Sequence, residues 1–211
     1  MTSEIRDLFA TTARVVESAV ADGAVGRAWD APSVLEEQSV GGIAGHLARG
    51  GVWVVGDYLD AAVPDAPHVA TAAQYFADTA DFLSADDHRA IRERGASVAA
   101  AGQREVSETL RARLDALGPR LASEPADRIV GVASGVAVMQ LDRYLETRIV
   151  EQVVHLDDLA RSLGREPWAV PPDALNLVLH IGIDVARLRN GPTAILRALY
   201  RSPLDPVFPV L

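Results

Sequence analysis

With 211 residues, 49% of them hydrophobic, the chain is long enough for one sizeable core, or for a bundle with a small appendage, but not for two large domains. Twenty Lys and Arg against twenty-nine Asp and Glu leave a net charge of −9, which argues against nucleic acid or an anionic membrane as the main partner and keeps small neutral or polar ligands open. The absence of cysteine rules out disulfides, thiolate ligands and a cysteine nucleophile, so a metal would have to be held by His, Asp or Glu and sulfur chemistry needs a thiol from outside.

The opening MTSEIRDLFA lacks the basic and apolar regions of a signal peptide, and the longest nearly apolar run, Ile129 to Met139, is too short to span a bilayer. A cytoplasmic protein is expected. Residues 3–22 predict the first helix, with Ser3 as a cap and Ile5, Leu8, Phe9, Val15, Val16 and Val20 at helical spacing; Thr12 is the one polar residue on that stripe. Gly23 and Gly26 should stop it, and Trp29, Asp30, Pro32 and Ser33 suit a loop, with Trp29 as a core plug. A second helix is predicted from Ser39 to Ala62, with Val40, Ile43, Leu47, Val54 and Val55 on its apolar side. Glycines at 41, 42, 45, 50, 51 and 56 each cost about 1 kcal/mol relative to Ala inside a helix, so something must approach the backbone closely. His46, Gly50, Trp53 and Asp57 share one stripe of that helix. The side chain missing at Gly50 leaves space beside the imidazole. A lone His on such a face is ordinarily a hydrogen-bonded core residue, unless a second helix offers it partners.

Residues 63–85 read as a loop able to lid a pocket, with at most a short helix around Ala72 to Phe82. Ser84 followed by Asp86 and Asp87 signals a helix start, and the helical pattern runs to about Leu121, with breaks near Gly95 and Gly102 and with Pro119 and Pro125 closing it. His68 and His88 are expected in solvent. Asp127 to Met139 is the only β-like passage, either a short hairpin or an extended connection. Its likeness to GxSxG is superficial, because Ser134 is followed directly by Gly135. Near the end, Asp173 to Asn190 reads as a fifth helix with Leu175, Val178, Leu179, Ile183 and Leu188 as its apolar residues, His180 is taken as structural, and a short helix spans Thr193 to Tyr200. The proline-rich SPLDPVFPVL should be extended.

Between the β-like passage and the fifth helix lies the most regular stretch, Leu145 to Gly164. Arg148, Glu151, His155 and Asp158 recur at spacings of three, four and three, which keeps them on one side of a helix. Leu145, Ile149, Val153, Leu156, Leu159 and Leu163 form the adjacent apolar face, while Val150 and Val154 on the far side call for a further covering segment. Glu151 and His155 point the same way one turn apart, a spacing that lets a carboxylate and an imidazole bind one metal ion. For this helix taken alone, a solvated boundary with i,i+4 pairs is the leading reading. Together, Glu151 and His155 are the partners that His46 lacks on its own helix.

The segment WDAPSVLEEQSVGGIAGHLARG and, about a hundred residues later, RIVEQVVHLDDLARSLG resemble the DinB-like superfamily, and more narrowly the N-terminal domain of mycothiol-dependent maleylpyruvate isomerases. The resemblance covers roughly residues 3–165. It rests on the whole constellation of a His on the second bundle helix and R-x-x-E-x-x-x-H-x-x-D-L on the last, here His46 and then Arg148, Glu151, His155, Asp158 and Leu159. It implies an all-α fold: a DinB-like four-helix bundle in up-down-down-up order over residues 1–165. It also implies a divalent metal, zinc first and nickel second, held by His46, Glu151 and His155, with mycothiol or a similar small thiol as cosubstrate. The characterised isomerases carry a second, C-terminal domain, whereas residues 166–211 here are expected to form one or two helices packed on the bundle. A transferase joining the thiol to a small electrophile, or another thiol-assisted reaction, is therefore expected ahead of maleylpyruvate isomerisation. Two His and one carboxylate leave an open coordination position, where an entering thiol would lose its proton. Asp158 is expected to support a ligand from behind or to bond to Arg148, and Arg148 to bind a substrate carboxylate. Trp53 and Asp57 are expected to line the pocket or to pack in the core. The alternative of another class is a non-catalytic metal- or ligand-binding bundle, a sensor or protein partner, and the chain is expected as monomer or homodimer.

Overall fold

The computed structural model describes residues 3–82 and 84–201; the extended tail expected after Tyr200 lies outside them. Helix α1, Glu4–Val20, starts where expected because the Ser3 side chain accepts the Arg6 N–H, and it buries Phe9, Thr12, Ala13, Val16 and Val20. The expected loop after it contains a short helix, α2 (Gly23–Arg27). The Asp22 carboxylate caps the Ala24 N–H at 2.8 Å, and Val25 is fully buried. The second predicted helix is one helical course with a fault in it. Helix α3 (Val40–Ala48), capped by Ser39, passes into a π-helical turn at Arg49–Trp53 and then into α4 (Val54–Asp60).

Helices α5 (Ala72–Phe82) and α6 (Ala85–Ala99) follow, α6 opening with a reciprocal cap between Ser84 and Asp87. Gly102, at φ 83°, separates α6 from α7 (Gln103–Ser123). Gly95 does not break α6; it is the point of closest approach to α3. A methyl group on Gly95 would meet the Gly42 carbonyl oxygen at 2.9 Å, and one on Gly45 would overlap the Gly95 carbonyl. Pro119 lies inside α7 rather than ending it. The β-like passage is the hairpin of the two sequence alternatives, β1 (Ile129–Val132) antiparallel to β2 (Ala137–Gln140), with Ser134 exposed in the turn between them. Helix α8 (Leu141–Ser162) begins four residues earlier than predicted, and α9 (Pro172–Asn190) and α10 (Pro192–Tyr200) follow.

Long-range pairs give the directions of the bundle helices. Arg6, near the start of α1, donates to Asp142 at the start of α8 (2.7 Å) and to the Leu121 and Glu124 carbonyls at the end of α7 (2.8 and 2.6 Å). Gln103, at the start of α7, donates to the Val20 carbonyl at the end of α1 (2.8 Å). Helix α1 therefore runs with α8 and against α7. The α3–α4 course runs against α8, since His46 stands level with Glu151 and Gly50 level with Arg148. This is the up-down-down-up order of an all-α, DinB-like bundle. Because α4 and α7 run the same way, the chain has to recross the bundle's length between them, and α5 and α6 occupy that crossover.

The apolar face of α8 is buried as read, from Leu145 through Leu159. On its far side Val150 is covered by Ala72, Phe76, Ile181 and Val185 of α5 and α9, but Val154 remains 42% exposed. The predicted apolar face of α9 is corrected in part. Val178 and Ile183 pack against neighbours as predicted, joined by Ala174, Ile181 and Val185, while Leu175, Leu179 and Leu188 face outward. His68, His88 and His180 are exposed. No helix among the described residues is long and apolar enough to cross a membrane.

Candidate metal centre

Two helices build the centre. Gly45 of α3 and Gly95 of α6 let the two backbones approach, and Gly95 lies directly under the Cβ of His46, fixing where the imidazole leaves the helix. On α8, Glu151 and His155 stand one turn apart and face α3. The three side chains meet. His46 Nε2 lies 3.1 Å from Glu151 Oε2, and His155 Nε2 lies 3.5 Å from the same oxygen. The imidazole rings stand edge to face at 83° with centroids 4.7 Å apart, and one donor atom from each residue falls within 4.8 Å of the others. Each side chain keeps about a fifth of its surface open to solvent (19, 22 and 23%), so the cluster is reachable from outside.

Asp158 completes the arrangement from behind. Its Oδ2 accepts from His155 Nδ1 at 3.0 Å, leaving Nε2 aimed at the cluster, and its other oxygen lies 3.7 Å from Arg161. Of the two sequence expectations for Asp158, the geometry is that of support to His155. Burial works against the charge of Glu151, but hydrogen bonds with His155 and His46 and the nearby Arg148 outweigh it and hold the carboxylate well below its usual range. Burial likewise lowers His155, yet its bonds to Asp158 and Glu151 overcome this and raise it from 6.5 to about 9. Without a metal, the cluster is thus an imidazolium held between two carboxylates.

Arg148 is 7% exposed. Its Nη1 donates to the Gly50 carbonyl at 2.9 Å, its Nε to Thr147 Oγ1 at 3.0 Å, and its guanidinium lies 4.8 Å from the Tyr144 ring centre. Gln152, fully buried, donates to the Gly51 carbonyl at 2.9 Å. These two carbonyls belong to the π turn, where the widened helix leaves backbone acceptors for α8 to satisfy. Trp53, the last residue of that turn, and Asp57 beyond it face α7. Asp57 pairs with Arg113 at 3.1 Å, and the same arginine lies over the Trp53 ring at 4.9 Å. They line a cleft of about 200 Å³ with Gly56 and Arg120, and the cleft contains none of the three cluster residues.

Sequence reasoning missed the aromatic surroundings of Arg148. Tyr144 packs against Tyr58 at 5.4 Å, and Tyr75 of the crossover helix α5 lies 6.0 Å from the guanidinium. Tyr144 sits on α8 one turn before Arg148, and that spacing was the available signal. Tyr75 is brought in by a long crossover that no local pattern reveals.

An up-down-down-up helical bundle with a His/Glu/His cluster between its second and last long helices defines a protein of the DinB-like class. Residues 6–160, most of the chain, match the mycothiol maleylpyruvate isomerase N-terminal domain, and the chain belongs to that family. No curated protein and no solved structure matches it.

Proposed function

We propose that His46, Glu151 and His155 hold a divalent metal, zinc first, and that the site uses mycothiol or a similar small thiol to attack a small electrophile, in transfer or in thiol-assisted isomerisation. The observation that supports this most is the convergence of two imidazole Nε2 atoms on one carboxylate oxygen. Ligands bound to one tetrahedral ion at about 2.0–2.1 Å lie about 3.3 Å apart; the two imidazole–carboxylate separations here are 3.1 and 3.5 Å, and all three donors lie within 4.8 Å of one another. The donor set fits a borderline-soft ion, and three ligands leave a position for a substrate. When bound, such an ion supplies the charge that acidifies a thiol at neutral pH, which a chain without cysteine gains only from an external thiol.

The chain's own residues prepare that position. Asp158 takes the Nδ1 proton of His155 as a hydrogen bond, which fixes the tautomer that presents Nε2 and raises its basicity. Arg148 acts as a positioning residue. By holding the Gly50 carbonyl it fixes the glycine beside the His46 ring, and its charge keeps Glu151 ionised. Gly50 itself leaves open the flank of His46, since a Cβ there would lie 3.3 Å from Cε1.

The test joins metal content to turnover. Wild type dialysed against buffer should retain one zinc per chain. Glu151→Ala should retain none with an unchanged far-UV circular dichroism spectrum, because the core, not the ion, holds the helices. Zinc-loaded wild type should consume thiol in the presence of a panel of electrophiles, and the chelator-treated protein should not. Metal without turnover would leave a non-catalytic binding protein; no metal would refute the proposal.

A further inference from the structure

Arg49 stands at the C-cap of α3, three residues after His46 and next to Gly50. On a helix that spacing puts the two side chains on one face. Arg49 is half-buried, and among the described residues its side chain has no hydrogen bond, ion pair or ring contact. The other arginines on the inside of the fold are committed: Arg6 to Asp142 and three carbonyls, Arg148 to Gly50 and Thr147. Arg197 shares the lack of a partner but lies exposed on α10. A guanidinium carries five donors in a planar fork, and the nitrogens of Arg49 stay within reach of solvent, so its fork is open to an acceptor arriving from outside. The residue next to it has no side chain to fill the space toward the imidazole.

We propose that Arg49 is the anion-binding residue of this site, and that the small molecule reacting beside His46, Glu151 and His155 carries a carboxylate which Arg49 receives. The inference rests on the thiol reading for the location of the chemistry. A carboxylate is the group that the planar fork matches, two parallel N–H donors to two oxygens. The net charge of −9 disfavours a polyanion such as an oligophosphate. Arg148, the residue expected from sequence to take a substrate carboxylate, already spends two donors on the protein, and Arg49 spends none on side chains or carbonyls nearby. The carboxylate can belong to the thiol or to the electrophile, and the two sources are separable.

The experiment uses the full chain loaded with cobalt(II), whose charge-transfer absorption reports sulfur binding. 3-Mercaptopropionate and 2-mercaptoethanol are titrated against wild type, Arg49→Gln and Arg49→Lys, with metal content and circular dichroism measured on each. Succinate is titrated by calorimetry against each protein, with and without 2-mercaptoethanol. A charge-assisted hydrogen-bonded pair should make the anionic thiol bind about tenfold tighter than the neutral one. Arg49→Gln should lose that preference while keeping its cobalt and its 2-mercaptoethanol affinity, and Arg49→Lys should keep part of it. If the carboxylate belongs to the electrophile, succinate should bind wild type and not Arg49→Gln, and the two thiols should bind alike. Equal thiol affinities together with no Arg49-dependent succinate binding overturn the proposal, as does a preference that persists in Arg49→Gln. If Arg49→Gln fails to fold, equal thiol affinities and no succinate binding in wild type alone overturn it. A protein that holds cobalt but shows no charge-transfer band with either thiol refutes the thiol reading. The succinate arm then still decides Arg49.

Discussion

In the metal-free protein, the placement of His155 between Glu151 and Asp158 makes stability depend on pH in a defined direction. Its pKa is 6.5 as an ordinary imidazole and about 9 here, where burial is outweighed by the two carboxylates. A group whose folded value is raised contributes fully below its unfolded value and loses that contribution as pH rises through its folded value. The interval of about 2.5 pH units, at about 1.4 kcal/mol each, amounts to about 3 kcal/mol. This is present below about pH 6.5 and gone above about pH 9. The depressed Glu151 reports the same ion pair from its other side, so the two are counted once; its part is lost as pH falls through the acid range. The assay is urea unfolding of chelator-treated protein, followed by circular dichroism, at about pH 6 and about pH 9.5. Wild type should lose about 3 kcal/mol between them and His155→Gln should lose little. Asp158→Asn should fall between, since it removes the largest favourable contact of the imidazolium. A wild type equally stable at both values, or a His155→Gln variant with the wild-type slope, refutes the reasoning. Zinc competes with the same proton, so its affinity should rise about tenfold per pH unit up to about pH 9.

Three substitutions probe the frame around the site. Gly45→Ala drives a methyl group into the Gly95 carbonyl, a backbone atom that cannot rotate away, and should destabilise by about 1–3 kcal/mol in urea unfolding. Gly50→Ala places a methyl group 3.3 Å from His46 Cε1, which should weaken zinc binding about tenfold in a chelator competition while leaving the fold intact. Arg6→Met removes a buried cation from Asp142 and from the Leu121, Glu124 and Pro125 carbonyls; thermal and urea unfolding should show a loss of about 3–5 kcal/mol.

What the sequence made legible was whatever repeats along a helix. The caps at Ser3, Ser39 and Ser84, the apolar face of α8 and the polar line from Arg148 to Asp158 all follow from spacing within one segment, and all are present. The meeting of His46 with α8 is suggested by two polar stripes and given its definite form by the resemblance to a family, because no local pattern alone joins residues a bundle's width apart. What escaped were properties that only packing decides. Arg6 reads as an ordinary surface charge on α1 until the ends of α7 and α8 close over it. Leu175, Leu179 and Leu188 of α9 form a plausible inward stripe, yet the helix packs through Ala174, Val178, Ile181 and Val185 instead. Trp53 and Asp57 share a stripe with His46 only if the helix keeps 3.6 residues per turn, and between Arg49 and Trp53 it does not.

That departure amounts to a one-residue insertion frozen into the helix. A π turn takes up an extra residue, and one residue is about 100° of helical phase. Upstream of it the helix presents His46 to Glu151; downstream it presents Val55 and Leu59 to the core. Deleting one residue at Gly50 or Gly51 would restore regular α-helix and at the same stroke rotate everything beyond it, so the two halves could not both stay seated. The insertion is kept in place by the clasp of Arg148 and Gln152 on the carbonyls it exposes. Those two α8 residues and the glycine pair opposite therefore act as one mechanical unit, the phase of one helix being locked by the side chains of the other.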